Sequence, residues 1–228
     1  MLWRGFVAAC LIVLAAGPAH AQDMGNTANS VYYLGNRLIP LPRGTWQIVS
    51  TETAHSTNGG PIARAYLADV QNGVLSRWIY MATNTDYNSG GWKPNKDICG
   101  RANVHFAYSG SAQTSNDAEC WIVNHWGMTM GSKPSQAQVT FYRWSDTLGR
   151  PNTAVGVEYY IAKHGDFLTL QLMYNPVVDG FPETPSAEWR GSPWHADVAS
   201  KDPKRLAYLR ALKTLGEQYF DQLRSVLH

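Results

Sequence analysis

The sequence predicts an α+β fold, in which an antiparallel β-sheet built of hairpins carries one inserted helix and a long C-terminal helix packed on the sheet. Two pairs of β-branched and aromatic runs predict the sheet, because short turns join them at residues 71–73 (Gln-Asn-Gly) and 164–166 (His-Gly-Asp). An Asn-Gly step between apolar runs is typical of a tight hairpin. Near the C-terminus, apolar residues recur at every third or fourth position, which is typical of a helix with one buried face. Hairpins combined with separate helices indicate an α+β layer arrangement.

Residues 1–21 have the features of a signal peptide. Arg4 is followed by an uninterrupted apolar run, and residues 19–21 read Ala-His-Ala, the small-x-small pattern that signal peptidase accepts. The apolar run is much shorter than the roughly 20 residues of a membrane-spanning helix. We therefore expect residues 22–228 to form a single exported domain, periplasmic or secreted, with no membrane span after cleavage. The alternatives are an uncleaved N-terminal anchor and a lipoprotein modified at Cys10.

The first half of the mature chain alternates between β-leaning runs and polar turns. Val, Ile, Thr and aromatic residues dominate these runs, and such residues favour strands. A long polar segment at residues 84–98 contains glycines and is predicted to be a loop. We predict strands at residues 45–51, 62–70, 74–83, 104–108 and 120–126.

The second half begins with the inserted helix, predicted at residues 134–148. Four apolar residues there share one helical stripe, although strand alternation also fits part of the segment: Ala137, Phe141, Trp144 and Leu148. Residues 153–162 and 167–174 both alternate and form the second predicted hairpin. Residues 175–200 contain four prolines and two glycines and are predicted to be an irregular connector.

The C-terminal helix has a clear start signal. Asp202 can cap the helix and Pro203 suits its first position. A stripe of leucines continues from there to the end of the chain, which predicts a helix of about 24 residues with one buried face.

The composition excludes two classes of protein. Only 16% of the residues are charged and 12% are aromatic, which is the opposite of the balance in disordered chains. The formal net charge is +2, without the concentrated basic surface that nucleic-acid binders use. We therefore expect a soluble globular domain with no nucleic-acid partner.

Removal of the signal peptide would leave two cysteines, Cys99 and Cys120. Paired cysteines are typical of exported domains, so we predict a Cys99–Cys120 disulfide. The alternative is that Cys120 is a nucleophile served by His105 or His125.

Two segments have some of the residues of metal sites. Residues 86–97 partly match a calcium-binding loop, with Asp86, Asn88 and Asp97 at ligand positions, but glycine stands at one ligand position and Asp97 is shorter than the usual Glu. His125, Met128 and Met130 supply an imidazole and two thioethers, which are ligands that Cu(I) prefers. An ordinary glycine-rich loop and ordinary core packing are the alternatives, and no cofactor is predicted.

Three tryptophans lie in segments rich in Gly or Pro: Trp92, Trp189 and Trp194. We expect them to be more exposed than the tryptophans in β-leaning runs, Trp46, Trp78 and Trp121. Tryptophan rings stack on sugars and anchor protein interfaces. If these three rings converge, they would form a binding platform for a saccharide or an envelope partner. The alternative is that they cap the core.

No motif identifies a reaction. The chain has no phosphate-binding loop, nucleophile elbow or paired-histidine metal motif, and its carboxylates are scattered. We therefore expect an exported binding or interaction protein of the cell envelope rather than an enzyme. The alternatives are an envelope hydrolase whose site is assembled only by the fold, and a copper- or metal-handling protein.

Overall fold

The computed structural model describes residues 24–56 and 60–227. The predicted signal peptide lies outside these residues. The strands are β1 (Thr27–Ala28), β2 (Val31–Leu34), β3 (Arg37–Pro40), β4 (Trp46–His55), β5 (Pro61–Gln71), β6 (Val74–Asn84), β7 (Phe106–Thr114), β8 (Asp117–Gly127), β9 (Thr153–Lys163) and β10 (Asp166–Tyr174). The helices are α1 (Lys96–Cys99), α2 (Gln136–Asp146), α3 (Ala196–Ala199) and α4 (Pro203–Arg224), followed by a 3-10 turn at Ser225–Leu227.

Eight of the strands form one antiparallel sheet in the order β1-β4-β5-β6-β10-β9-β8-β7, while β2 and β3 form a separate hairpin. The sheet consists of two meanders, β4-β5-β6 and β10-β9-β8-β7, joined by the β6–β10 pair. The predicted α+β class is therefore confirmed in outline, with a large antiparallel sheet and a long C-terminal helix.

Both predicted hairpins are present. Asn72 and Gly73 at the β5–β6 turn both have positive φ, at 53° and 77°. This is the conformation that an Asn-Gly hairpin turn requires. His164 and Gly165 at the β9–β10 turn also have positive φ, at 50° and 84°.

The sheet buries both of its faces. One face packs against α4 and the β2–β3 hairpin, around residues such as Trp121, Val157 and Leu170. The opposite face packs against α2 and α1. We call these the α4 face and the α2 face.

The C-terminal helix lies where the leucine stripe predicted. The Asp202 carboxylate accepts hydrogen bonds from the Lys204 and Arg205 amides at 2.9 and 3.1 Å, so it caps the helix. The helix ends at Arg224, and Gly216 is buried in its second half. A Cβ at Gly216 would lie 3.1 Å from Val157 Cγ1, so glycine lets the helix approach β9 closely. The Tyr219 hydroxyl donates to the Pro40 carbonyl at 2.6 Å and ties the helix to β3.

The inserted helix α2 is shorter than predicted, since Ser135 is its cap and Thr147 ends it. It lies between β8 and β9 in the chain but packs on β4 and β5. Ser50 Oγ of β4 donates to the Ala137 carbonyl at 2.8 Å, and the Ala137 amide donates to Glu52 Oε2 at 3.1 Å. The helix therefore connects the second meander to the first.

Several element boundaries differ from the predictions. The strands predicted at residues 104–108 and 120–126 are longer in the structure, because β7 and β8 continue through the polar segment between them to a tight turn at residues 115–116. The short strands β1 to β3 and the helices α1 and α3 were not predicted. Their segments are too short to show a repeated pattern.

The predicted disulfide is confirmed: Cys99 at the end of α1 is bonded to Cys120 of β8, with an S–S distance of 2.01 Å. The bridge ties the loop of residues 84–105 to the α2 face of the sheet. Among the described residues, no helix is long and apolar enough to cross a membrane.

Candidate functional site

A cleft with two lobes lies on the α2 face of the sheet. Its outer lobe has a volume of about 500 Å³, within the range of small-molecule sites. The lining residues come from three strands and from the N-terminal end of α2 with the segment before it. They are mostly polar or charged: Arg64, Tyr66, Tyr80, Lys133, Pro134, Ser135, Gln138 and Gln171.

The inner lobe has a volume of about 270 Å³. It shares Tyr66, Gln138 and Gln171 with the outer lobe, so the two lobes adjoin. Five aromatic side chains line the inner lobe: Tyr66, Trp78, Trp126, Phe141 and Tyr142. The rings support one another, since Tyr66 stacks on Phe141 with a centroid distance of 4.6 Å.

Strand alternation brings the residues of the cleft floor together. Tyr66 of β5 is opposite Tyr80 of β6, which is opposite Gln171 of β10, which is opposite Glu158 of β9. Directly opposite residues on antiparallel strands share one face of the sheet. Two tyrosines, an amide and a carboxyl group therefore form one row on the α2 face, and the two tyrosines and the amide of this row line the outer lobe.

Glu158 is a buried carboxyl group at the end of this row. Its side chain accepts a hydrogen bond from Gln171 Nε2 at 2.7 Å, and the residue is 8% exposed. Burial raises the pKa of Glu158 to about 7, while the Gln171 hydrogen bond and the charge of Arg101 lower it. Desolvation dominates because no cation forms an ion pair with this carboxyl group among the described residues.

Two cations lie at the outer lobe. Arg64 Nη1 is 3.6 Å from Glu52 Oε1, a long ion pair. The other Glu52 oxygen accepts the Ala137 amide of α2, so this carboxylate is divided between two donors. Lys133 is exposed and forms no ion pair with a described residue. The mouth of the cleft is therefore positively charged.

A second polar cluster surrounds Trp189. The His125 ring stacks on the Trp189 ring with a centroid distance of 5.2 Å and an interplanar angle of 9°. His125 Nε2 lies 2.9 Å from the Trp189 carbonyl, and His105 Nε2 lies 2.9 Å from the Trp194 carbonyl. Burial lowers the pKa of His125 to about 4 and also lowers the pKa of His105. Both imidazoles are thus neutral donors that fix the connector of residues 175–200 to the sheet.

The three loop tryptophans do not form one platform. Trp92 is half-buried on the α2 face, where its Nε1 donates to the Gly165 carbonyl at 2.9 Å and its ring packs on Phe167. Trp189 is half-buried in the histidine cluster. Trp194 packs in the α4-face core with Phe181 and Tyr208.

The expected exposure of Trp194 is wrong, because the ring is 0% exposed. The connector folds back under α4, and Arg205 from that helix lies over the ring. A segment rich in proline and glycine can bury a tryptophan when a helix covers it. Trp46, Trp78 and Trp121 are buried as expected, at 0%, 2% and 3% exposure.

The residues of the predicted calcium loop are engaged in local turns. The Asn88 amide group donates to the Gly91 carbonyl at 2.9 Å and accepts the Gly90 amide at 3.1 Å. Asp97 lies in the first turn of α1, and Asp86 lies in the bend after β6. Within residues 24–56 and 60–227, no three His, Cys, Asp or Glu side chains are arranged to hold a metal ion.

The residues of the predicted copper site lie in different surroundings. His125 belongs to the Trp189 cluster, whereas Met128 packs with the aromatic residues of α2 and lines the inner lobe. Met130 is 44% exposed. Met128 therefore fills space in the core, which is the alternative to a copper site that the sequence also allowed.

A hydrolase would need a histidine and a carboxylate together in an enclosed site. His195 Nδ1 lies 3.5 Å from Asp197 Oδ2, but Asp197 is 83% exposed. His195 caps the short helix α3 by accepting the Asp197 amide. This pair is a local capping arrangement between a buried histidine and an exposed carboxylate.

Sequence reasoning missed the cleft. The signal that could have indicated a polar region beside it is Glu158, a charged residue in the middle of an otherwise apolar strand, which contacts the cleft residue Gln171. The alternation of Val155, Val157 and Tyr159 indicates one buried face of β9, and it places Glu158 on the other face. Comparisons with protein-family models, curated proteins and solved structures give no match to this chain.

Proposed function

We propose that this protein is an exported binding protein of the cell envelope and that its ligand is a saccharide held in the cleft on the α2 face. The observation that carries the proposal is the row of Tyr66, Tyr80 and Gln171 on the cleft floor. Saccharides bind through ring stacking on aromatic side chains and through hydrogen bonds to planar polar groups. In this row the half-buried Tyr80 supplies an aromatic ring and Gln171 supplies a planar polar group, and Arg64 and Gln138 add further donors.

Export is supported by two features. The N-terminal 21 residues have the pattern of a signal peptide, and the Cys99–Cys120 bridge is typical of an oxidising compartment such as the periplasm or the extracellular space. In this proposal, aromatic residues of the strands take the binding role that the sequence suggested for the loop tryptophans.

Titration of the protein with a panel of soluble glycans, followed by calorimetry or NMR, tests the proposal. Gln138→Ala removes a group that lines both lobes, while alanine preserves helix α2. We expect at least a fivefold loss of affinity, the size of about one hydrogen bond. The matched control is Gln136→Ala, at an exposed position of the same helix outside the cleft. The proposal fails if no glycan binds, or if both variants bind as the natural protein does.

A further inference from the structure

We infer that the saccharide is acidic and that Arg64 and Lys133 hold its acidic group in the outer lobe of the cleft. This inference rests on the proposed function and names the class of its ligand. It follows from the two cations that line the lobe, from the lack of a carboxylate among its described lining residues, and from the aromatic ring beside one of the cations.

The charge of the outer lobe has one sign. The lining includes a guanidinium group and an ammonium group, and none of the described residues that line either lobe is Asp or Glu. The chain as a whole is nearly balanced, with 19 Lys and Arg residues against 17 Asp and Glu residues. A concave site lined by charge of one sign attracts ions of the opposite sign. The outer lobe therefore favours an anionic ligand over a neutral ligand of the same shape.

Arg64 has donors that its acidic neighbour leaves open. Arg64 Nη1 is 3.6 Å from Glu52 Oε1, which is beyond hydrogen-bond distance, and the other Glu52 oxygen accepts the Ala137 amide. The Arg64 side chain is 24% exposed, so its guanidinium group remains accessible from the cleft. A guanidinium group binds a carboxylate through two parallel hydrogen bonds. An acidic group on the ligand can therefore bind to Arg64 more closely than Glu52 does.

Lys133 supplies the second cation. It lies in the segment between β8 and α2, is exposed, and forms no ion pair with a described residue. A lysine ammonium group is a compact charge on a flexible stem, so it can adjust to the position of an anion. Because the protein does not already pair this charge, an acidic ligand would bind to Lys133 without displacing a described ion pair.

Tyr80 and Gln171 place the sugar ring next to Arg64. Tyr80 of β6 is half-buried and lies opposite Gln171 of β10 and opposite Tyr66 of β5. Arg64 precedes Tyr66 by two positions, so strand alternation puts it on the same face of the sheet. Burial raises the pKa of Tyr80 and the charge of Arg64 opposes this rise, which agrees with a guanidinium group close to this side chain. A sugar that stacks on Tyr80 therefore lies beside a cation.

Two carboxyl groups lie beside the outer lobe without lining it, and each already has a donor from the protein. Glu52 accepts the Ala137 amide, and Glu158 accepts a hydrogen bond from Gln171 Nε2 at 2.7 Å. Burial raises the pKa of Glu158 to about 7, so a large fraction of this group is uncharged at neutral pH. The two lining cations therefore determine the sign of the charge that a ligand meets in the lobe.

Methyl esters test the charge on an otherwise unchanged sugar. The probes are the trisaccharides of galacturonic, glucuronic and mannuronic acid, together with N-acetylmuramic acid, each paired with its methyl ester. We expect at least one acid to bind about tenfold tighter than its ester at pH 7.5 and low ionic strength. This preference should decrease as salt is added, because salt screens exposed charges. Affinities are measured by NMR titration.

Two variants assign the preference to the two cations. Arg64→Gln and Lys133→Gln should each lower the ratio of acid affinity to ester affinity about threefold. The matched controls are Arg210→Gln and Lys201→Gln, which make the same change of charge at exposed positions outside the cleft. Melting curves establish that each variant is folded, and Lys133→Gln decides the result if the loss of Arg64 prevents folding.

The outcomes separate this inference from the proposed function. Equal affinities for every acid and its ester, or an acid preference that is unchanged in the folded cleft variants, overturn the inference and leave the saccharide-binding proposal standing. An equal loss of preference in the control variants also overturns the inference, because the effect would then come from the charge of the whole protein. Failure of the acids, the esters and the neutral glycan panel overturns both.

Discussion

Glu158 and His125 are buried groups whose pKa values move in opposite directions from their ordinary values. In each case burial favours the neutral form, which raises the pKa of the carboxyl group and lowers the pKa of the imidazole. The stability of the protein should therefore respond to these two residues in different pH windows.

For Glu158, we expect a gain of stability when the charge is removed. Its pKa rises from the ordinary value of 4.5 to about 7, so folding stability decreases as the pH increases from 4.5 to 7. The full loss is about 3 kcal/mol, at 1.36 kcal/mol for each pKa unit. Glu158→Gln should therefore be more stable than the natural protein at pH 8, with this gain absent at pH 4. Urea unfolding at both pH values measures the difference, and an equal effect at the two would contradict the pKa shift.

For His125, we expect a loss of stability in mild acid. Its pKa falls from the ordinary value of 6.5 to about 4, so the unfolded state takes up a proton between these values while the folded state does not. Stability is unaffected above pH 6.5 and should decrease by about 2 kcal/mol between pH 7 and pH 5. Burial is the largest cause of this shift, and the charge of Arg101 acts in the same direction, while the hydrogen bond to the Trp189 carbonyl opposes both.

The variant His125→Gln keeps a donor for the Trp189 carbonyl and lacks the titration. Its unfolding free energy should change less between pH 7 and pH 5 than that of the natural protein. The difference between the two slopes isolates His125 from the other titrating groups. A slope unchanged by the substitution would show that His125 is not the group responsible.

At the scale of single residues, the sequence predicted those properties of a side chain that depend on its neighbours in the chain. The disulfide followed from the two cysteines that lie outside the predicted signal peptide, and the burial of Trp46, Trp78 and Trp121 followed from their apolar surroundings. The burial of Trp194 depends on α4 folding over a distant connector, so local composition could not predict it.

At the scale of elements, the C-terminal helix is tested by truncation. Leu209, Leu212, Tyr219, Phe220 and Leu223 are buried against the sheet. Each buried apolar side chain contributes about 1.5–3 kcal/mol, so these five together contribute about 8–15 kcal/mol, which is as large as the whole stability of a typical domain. A chain ending at Ser200 should therefore lack a cooperative thermal transition, as measured by circular dichroism. A chain lacking only His228 is the control, and a truncated protein with unchanged melting behaviour would disprove docking of the helix.

Elements with a repeated pattern were predicted and elements without one were not. The hairpin turns at residues 71–73 and 164–166 and helix α4 each combine a periodic run with a stop or start signal. The two-residue strand β1 and the four-residue helix α1 have no room for a period, and tertiary contacts determine their conformation.

At the scale of the whole molecule, the expected export is tested at the N-terminus. If residues 1–21 are a signal peptide, protein purified from its native compartment should begin at Gln22. Intact mass and N-terminal sequencing measure this. Replacing Ala19 and Ala21 by bulky residues should block processing, because signal peptidase requires small side chains there. A chain that retains Met1, or one that begins at a lipidated Cys10, would contradict the prediction.

The cleft is a property of the whole molecule, which explains why the sequence did not reveal it. Its outer lobe combines β5 and β6 of the first meander with β10 of the second, and α2 forms its wall. The alternation within each strand shows which residues share a face. The order of the strands in the sheet decides which faces meet, and that order is not written in any local pattern.

The position of α2 has a consequence for how the protein folds in time. The Ser50–Ala137 hydrogen bond joins residues 87 positions apart, whereas each hairpin joins near neighbours. Contacts of long sequence separation form late because a large loop must close first. Loss of the Ser50 hydroxyl should therefore accelerate unfolding and leave the refolding rate nearly unchanged. A ligand that contacts both α2 and the strands would act on the same late step, so its stabilising effect would be measured chiefly as a longer lifetime of the native state.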